Sequence, residues 1–318
     1  MDRTGKLFWW NDEVYRAISS DRAEFYRELL DKRNLEHLFE KGLIAAEIAP
    51  FEVENYGLVL KHYRVPTISY CMEWSSAMLK DAALLICDLS IELYADGLTL
   101  KDAHPWNVLF DDGRPIFVDW GSIECMNGRR KWPYDAFNAW FILPLYLMSA
   151  GRSNLARKLM ADVMNRPRRG DVARLMIGRV GLWTWLHHWL GEIVRLRSYA
   201  QPNQDFFLTL RKTIEDIPVS GETTEWTKYQ GPDTKFSLDS DQEWPVRIKN
   251  VGRLIEVFKP KTLLDIGCNR GWFSELAERR GAHVTSIDID EPSINTLYGN
   301  VKSKQLHVLP LVMDICSP

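Results

Sequence analysis

One loop of the chain holds polar residues with the spacing that phosphoryl transfer requires. We call this segment, 100-LKDAHPWNVLFDDGRPIFVDWGS-122, the polar loop. Asn107 lies five positions after Asp102, a short predicted hairpin follows, and Asp119 then begins an Asp-Trp-Gly element. Phosphoryl transfer needs a carboxylate near the attacking hydroxyl and oxygen ligands that hold Mg²⁺ on the phosphates. The two carboxylates and the amide of this loop could supply both.

A second set of residues, in 263-LLDIGCNRGWFSELAERRGAHVTSIDID-290, could bind a nucleoside. Residues 267–271 form a glycine loop that begins at Gly267 and ends at Gly271. The two glycines allow a tight turn and the close approach of a ligand. Asp288 ends the next predicted strand, 23 residues after Asp265, and a carboxylate there can accept hydrogen bonds from both ribose hydroxyls. The pattern is not the dinucleotide Gly-x-Gly-x-x-Gly. Asp265 would repel a pyrophosphate and would suit a cationic ammonium group.

Apolar periodicity predicts the elements that come before the polar loop. The first is a hairpin over residues 5–18, and a helix follows within 21–42 and ends at Gly42. Short apolar runs in residues 43–74 are typical of strands. An amphipathic helix then covers residues 75–97.

The pattern after the polar loop divides into three parts. Residues 133–216 are predicted to be helical. Residues 217–243 are polar, rich in Gly, Ser, Thr and Asp, and predict a connector that its aromatic residues could anchor to a domain surface. Residues 244–318 alternate helix and strand, which predicts a βαβαβ unit with a parallel sheet.

The N-terminal elements and the polar loop resemble the kinase-like fold, in particular the aminoglycoside and choline phosphotransferases, whose loop reads Asp-x-His-Pro-x-Asn. The resemblance implies that Asp102 is the catalytic base. It also implies that Asn107 and Asp119 bind Mg²⁺ beside ATP.

The sequence departs from this family in several places. The first hairpin shows no glycine-rich phosphate loop, and Arg16 stands where a lysine is expected, with Glu24 or Glu28 as its helix partner. Leu100 stands where such loops usually have histidine. The alternative interpretation is a scaffold, in which the polar residues satisfy backbone groups and no catalysis occurs.

Residues 244–318 resemble class I S-adenosylmethionine-dependent methyltransferases in the glycine loop, the acidic end of the second strand and Asp314 at the end of the third. The resemblance implies a loop around the methionine part of S-adenosyl-L-methionine, a ribose contact at Asp288 and an adenine contact at Asp314. The cofactor-binding residues that it implies are Asp265, Gly267, Asn269, Gly271, Asp288 and Asp314. The alternative is a generic Rossmann-like half with solvent-facing carboxylates, and Asp290 is predicted to be solvated.

The combination resembles bacterial nodulation-associated methyltransferase-like proteins, in which an Asp-x-His-Pro-Trp-Asn segment precedes the methyltransferase domain. We expect an α+β kinase-like domain at 1–216, with a small lobe at 1–74 and a helical large lobe at 75–216. A linker at 217–243 then leads to an α/β Rossmann-like methyltransferase half at 244–318, with an incomplete, three-stranded parallel sheet.

The function implied by the resemblance is methyl transfer from S-adenosyl-L-methionine to a small-molecule or glycoconjugate acceptor. An ATP- and Mg²⁺-dependent small-molecule phosphotransferase and a pseudokinase-like scaffold are the alternatives. Class I methyltransferase sheets usually have seven strands, and this chain ends just past the third. We therefore expect it to bind the cofactor without turning over.

Composition disfavours several other classes. A net charge of −3 argues against binding to a polyanion, and the basic clusters at 128–132 and 166–170 are predicted to be solvated surface, so no nucleic-acid partner is expected. Five cysteines without CxxC spacing argue against zinc and disulfides, and favour a reducing, cytoplasmic location. No signal peptide is predicted at the N-terminus.

Two apolar segments, at 136–150 and 175–194, could suggest membrane spans. The first is shorter than the ~20 residues that a span needs, and the second contains charged residues. Both are predicted to be buried helices. His188 and Glu192 have metal-ligand spacing on the second, but no third ligand is in register, so ordinary core or surface positions are predicted.

Overall fold

The computed structural model describes residues 5–32, 35–126, 132–162, 202–219, 224–226 and 236–316. The segment at 175–194, with its histidines, and the basic cluster at 166–170 lie outside the described residues, as does most of the cluster at 128–132. Among the described residues, no helix has the length and apolar character that crossing a membrane requires.

The N-terminal sheet has four antiparallel strands in the order β1-β2-β4-β3. The predicted hairpin is present, and its turn residues Asn11 and Asp12 have φ of 49° and 62°, as the favoured two-residue hairpin turn requires. The strands are β1 Gly5–Trp10, β2 Glu13–Ile18, β3 Ala46–Ile48 and β4 Leu58–His62.

Two of the predicted N-terminal elements differ from the structure. The helix expected within 21–42 is two helices, α1 Ser20–Lys32 and α2 Glu36–Glu40, and the second buries Leu38 before Gly42 ends it with φ 101°. The last apolar run before residue 75 forms a 3₁₀ turn, Cys71–Glu73, instead of a strand. The Glu73 carboxylate accepts a hydrogen bond from the Tyr70 N–H at 2.7 Å, which supplies the local partner that favours a turn.

A long helix, α3 Ser76–Ala95, runs through the core. Ser75 is its N-cap, and its hydroxyl accepts from the Met78 N–H at 3.4 Å, as predicted for one of the two serines. The polar loop follows as two antiparallel pairs. The strands are β5 Leu98–Leu100, β6 Val108–Asp111, β7 Arg114–Phe117 and β8 Ile123–Cys125.

The predicted helical region contains α4 Tyr134–Phe137, α5 Leu143–Ser149, α6 Ser153–Ala161 and α7 Gln204–Glu215. The apolar segment at 136–150 is helical and buried, as predicted. Its helix contains a π-helical turn at Asn138–Ile142, which ends two residues before Pro144. Such a turn accommodates a proline, because the ring lacks an N–H and clashes with a regular helix.

The C-terminal part alternates helix and strand, as predicted. Its three strands are parallel, with β10 in the centre between β9 and β11. In chain order the elements are α8 Val246–Phe258, β9 Thr262–Ile266, α9 Trp272–Glu278, β10 His283–Asp288, α10 Glu291–Lys304 and β11 Val308–Val312. The connector packs on this part, since the Trp272 indole donates to the Phe236 carbonyl at 3.3 Å.

One apolar core joins the two parts of the chain. Ile287, Leu309 and Leu311, from β10 and β11, belong to the same buried cluster as the residues of α3. Tyr298 of α10 packs edge-to-face on Phe110 of β6, with ring centroids 6.0 Å apart. The polar loop and the parallel sheet are therefore held in fixed positions by a shared interior.

Candidate functional site

The glycine loop has a backbone that side chains rarely adopt. Gly267, Asn269 and Gly271 have φ of 72°, 51° and 77°. A Cβ at position 271 would lie 2.3 Å from Leu297 Cδ1, whereas one at position 267 would meet nothing within 4 Å. Gly271 is therefore required for packing, and the space beside Gly267 is open to a ligand.

The backbone N–H groups of this loop all donate within the protein. The acceptors are the Ile287 carbonyl for residues 267 and 268, the Asp288 carboxylate for 269, the Asn269 side chain for 270 and the Cys268 carbonyl for 271. A phosphate needs such N–H groups free to donate. The loop therefore suits a nucleoside without phosphates better than a dinucleotide.

Asp288 lies at the end of β10 and organises the loop. One carboxylate oxygen accepts from the Asn269 N–H at 2.8 Å, and the other accepts from the Asp290 N–H at 2.9 Å. Each oxygen of a carboxylate has a second lone-pair direction. The side chain is half-buried, so it can still meet a ligand hydroxyl beside the loop.

Asp265 lies beneath the loop in a network of hydroxyl groups. Its carboxylate accepts from the Ser274 hydroxyl at 2.6 Å, and Ser286 donates to Ser274 at 2.8 Å. Burial raises the pKa of Asp265, and the neighbouring charge of Asp288 acts in the same direction. Both carboxylates are half-buried.

Two other aspartates differ in their surroundings. Asp314 is exposed beyond β11, and its carboxylate accepts from the Cys316 N–H at 2.9 Å. It lies at the same edge of the sheet as Asp288, whose carbonyl accepts from the Met313 N–H at 2.9 Å. Asp290 is buried, so the prediction of a solvated residue was wrong. It caps α10 by accepting from the Ser293 N–H at 3.1 Å.

Sequence reasoning missed three exposed isoleucines at this edge of the sheet. Ile266 ends β9, Ile289 follows Asp288 directly, and Ile315 lies three residues past β11, with 52%, 64% and 53% of their surfaces exposed. An apolar surface beside a carboxylate suits a nucleobase attached to a ribose. The available signal was an apolar residue next to each acidic strand end.

The polar loop brings two of its predicted metal ligands together. The Asn107 amide donates to the Asp119 carboxylate at 3.4 Å, and Arg16 of β2 forms an ion pair with the same carboxylate at 3.0 Å. Asp119 also accepts from the Gly121 N–H at 3.1 Å, so it caps the turn that follows. The Arg16 guanidinium occupies a position where its charge competes with a cation for Asp119.

Asp102, the predicted base, is fixed through its backbone. Its N–H donates to the Ser122 hydroxyl at 2.9 Å, and that hydroxyl donates to the Asp102 carbonyl at 3.0 Å. Burial lowers the pKa of the neighbouring His104. These contacts support both interpretations of the loop, because they position the carboxylate and also satisfy backbone groups.

A buried histidine lies next to this cluster. His62 of β4 is 3% exposed, and among the described residues neither of its ring nitrogens has a hydrogen-bond partner. Burial and the charge of Arg16 lower the pKa of His62 to about 3. His62 is therefore neutral in the folded chain at ordinary pH.

The free energy of unfolding is expected to fall below pH ~6.5 because of His62. The unfolded chain binds a proton there at about pH 6.5, whereas the folded chain does so only near pH 3. Each pH unit within this window costs about 1.4 kcal/mol. Urea unfolding at several pH values checks this, and His62→Leu should lose that part of the pH dependence. If the free energy of unfolding falls equally with pH in the wild type and in His62→Leu, this role of His62 is contradicted.

Comparison with known proteins supports a methyltransferase relationship. No protein-family model matches the chain. The chain is 25% identical to the nodulation protein NoeA of Rhizobium meliloti (strain 1021) over an alignment of 349 residues. That alignment covers the whole chain and 71% of NoeA. A stretch of 71 residues is 35% identical to the ubiquinone biosynthesis O-methyltransferase of Coxiella burnetii (strain Dugway 5J108-111), covering 22% of the chain and 30% of that enzyme.

Proposed function

We propose that the chain binds S-adenosyl-L-methionine as part of a methyltransferase whose acceptor is a small molecule or a glycoconjugate. The observation that carries the proposal is the position of Asp288, whose carboxylate holds the glycine loop next to the open space at Gly267. A ribose placed there would give its two hydroxyls to that carboxylate.

The charge around the loop supports the same ligand. Asp288 is close enough to Asp265 for its charge to contribute to raising the pKa of Asp265. Two carboxylates and a loop without free N–H groups would repel phosphates, whereas they favour a nucleoside that carries a cationic amino acid. The exposed side chains of Ile266 and Ile289 offer an apolar surface for the base.

The chain's own residues would bind and orient the cofactor, which supplies an activated methyl group when bound. Methyl transfer depends mainly on the alignment of the acceptor atom with that methyl group. One of the relatives named above is an O-methyltransferase, so an oxygen acceptor is the first class to test.

Calorimetry with S-adenosylhomocysteine tests the proposal on the full chain. We expect saturable one-to-one binding, and S-adenosylmethionine should raise the melting temperature as well, since a ligand that binds only the folded state stabilises it. Absence of both the heat and the shift would refute the cofactor assignment. Candidate acceptors are then screened with labelled cofactor.

We also propose a kinase-like arrangement for the N-terminal part, with nucleotide binding at the polar loop as the second candidate function. The contact between Asn107 and Asp119 supports this candidate, and the ion pair of Arg16 with Asp119 opposes metal binding. If ATP–Mg²⁺ raises the melting temperature of the wild type but not of Asp119→Ala, the loop binds nucleotide. If neither protein responds, the scaffold interpretation holds.

A further inference from the structure

Two histidines stand side by side at the start of the parallel sheet. His283 is the first residue of β10, and His307 directly precedes β11. The register pairs Val284 with Val308, so the residue before each valine lies at the same level of the sheet. The ring centroids of the two histidines are 5.1 Å apart.

A carboxylate from a distant part of the chain completes the group. Asp112 lies in the turn between β6 and β7, with φ 52°, and its carboxylate oxygen is 2.9 Å from His307 Nδ1. One potential ligand atom each from Asp112, His283 and His307 lies within 4.8 Å of the other two. Among the described residues, this is the group of three that could hold a metal ion.

The chemistry of the three ligand atoms selects the kind of ion. Imidazole suits zinc, copper and nickel, whereas Mg²⁺ and Ca²⁺ prefer oxygen ligands. Zinc binds nitrogen at about 2.0–2.1 Å, so a bound ion requires the three side chains to rearrange around it. Both histidines are exposed, and their rings can rotate to do so.

The surroundings leave room for the ion. Asp112 borders two clefts, one of about 650 Å³ next to His307 and one of about 360 Å³ next to His283. Asp111 adds a second carboxylate at the same turn, held by the Tyr63 hydroxyl at 3.1 Å. Three protein ligands leave a fourth position, which is open to solvent or to a small molecule in either cleft.

We propose that Asp112, His283 and His307 bind a zinc-class divalent transition-metal ion. The ion would fasten the turn between β6 and β7 to the parallel sheet. This site is independent of the proposed cofactor site, because the histidines lie at the amino ends of the strands and Asp288 lies at a carboxyl end.

The test is calorimetric titration of the chelator-treated full chain with ZnCl₂. We expect one ion per chain, and His283→Ala or His307→Ala should weaken binding at least about tenfold, since even an outer-shell partner of a metal site is worth about 10- to 100-fold. MgCl₂ should give no saturable binding. Equal affinity in wild type and both variants, or the absence of saturable zinc binding, would overturn the proposal.

Matched controls separate this site from others. His37→Ala removes a histidine that pairs with Asp96 at 3.6 Å but belongs to no such group among the described residues, and its zinc affinity should equal that of the wild type. A joint substitution of His187 and His188 by alanine should also leave zinc binding unchanged. Loss of binding in either control would place the ion elsewhere and overturn the assignment.

A measurement on the unmutated protein keeps the test decisive if a variant fails to fold. X-ray absorption of the zinc-loaded wild type should show two imidazoles and oxygen at the ion. Coordination without imidazole, or with sulfur, would contradict the proposed ligands.

Discussion

Replacing Glu291 with alanine is expected to lower the free energy of unfolding by about 3–5 kcal/mol, the usual effect of removing one partner of a buried ion pair. The Glu291 side chain is 7% exposed, and Arg157, its partner at 2.9 Å, is 12% exposed. The substitution leaves the largely buried guanidinium charge without its carboxylate.

The same carboxylate also caps a helix from another part of the chain. Its second oxygen accepts from the Ser76 N–H at 2.8 Å, and Asn295, one turn further along α10, accepts from the Ala77 N–H at 3.1 Å. Both N–H groups belong to the first turn of α3, where an anion is favoured. Burial opposes ionisation of Glu291, but the charge of Arg157 and hydrogen bonds from Ser153 and Ser76 lower its pKa.

Glu256→Ala is the matched control for this prediction. Glu256 pairs with Arg280 at 2.8 Å, but it is 58% exposed, so its loss should cost less than about 1 kcal/mol. Urea unfolding of the two variants measures the difference. A loss of under 1 kcal/mol in Glu291→Ala would show that the buried pair contributes little.

Replacing Asp288 with alanine is expected to weaken binding of S-adenosylhomocysteine about 100-fold. Hydrogen bonds to a charged group contribute about 1.5–3 kcal/mol each, and the proposed ribose contact has two. Loss of their combined energy corresponds to two orders of magnitude or more in affinity. The variant also removes the acceptor of the Asn269 and Asp290 N–H groups, so the loop loses support.

Calorimetry on Asp288→Ala and Asp239→Ala checks this expectation. Asp239 is 82% exposed and pairs with Arg279, so Asp239→Ala removes an equal charge away from the loop and should bind like the wild type. Wild-type affinity in Asp288→Ala would rule out the ribose contact. Equal melting temperatures of the two variants would show that a loss of binding does not reflect unfolding.

Apolar periodicity and capping residues predicted most of the helices and strands, because these signals lie within each element. The hairpin at 5–18, the cap at Ser75 and the alternation of helix and strand from 246 to 312 are all present. The motif spacing also predicted that the loop at 267–271 lies next to Asp288, because a glycine loop and the next strand end meet at the same edge of a parallel sheet, and the Asn269 N–H donates to that carboxylate.

Contacts between distant segments could not be predicted in this way. Glu291 follows Ser76 by 215 positions, and Asp112 and His307 are separated by 195. Nothing in the local sequence of these four residues indicates a partner. Packing of α10 on α3 brings Glu291 to Ser76, and the turn between β6 and β7 lies against the start of β11, which brings Asp112 to His307. Asp290 was mistaken for a solvated residue although its partner is local, since it is buried and accepts from the Ser293 N–H as a helix N-cap does.

The interior shared by α3, β10 and β11 has a consequence for the chain as a unit. If the N-terminal part or the parallel sheet unfolds alone, Ile287, Leu309 and Leu311 lose their contacts with the residues of α3. Partial unfolding therefore exposes hydrophobic surface on the sheet and on the N-terminal part. Denaturation should therefore be a single cooperative transition, and a fragment that starts at residue 244 should aggregate when it is expressed alone.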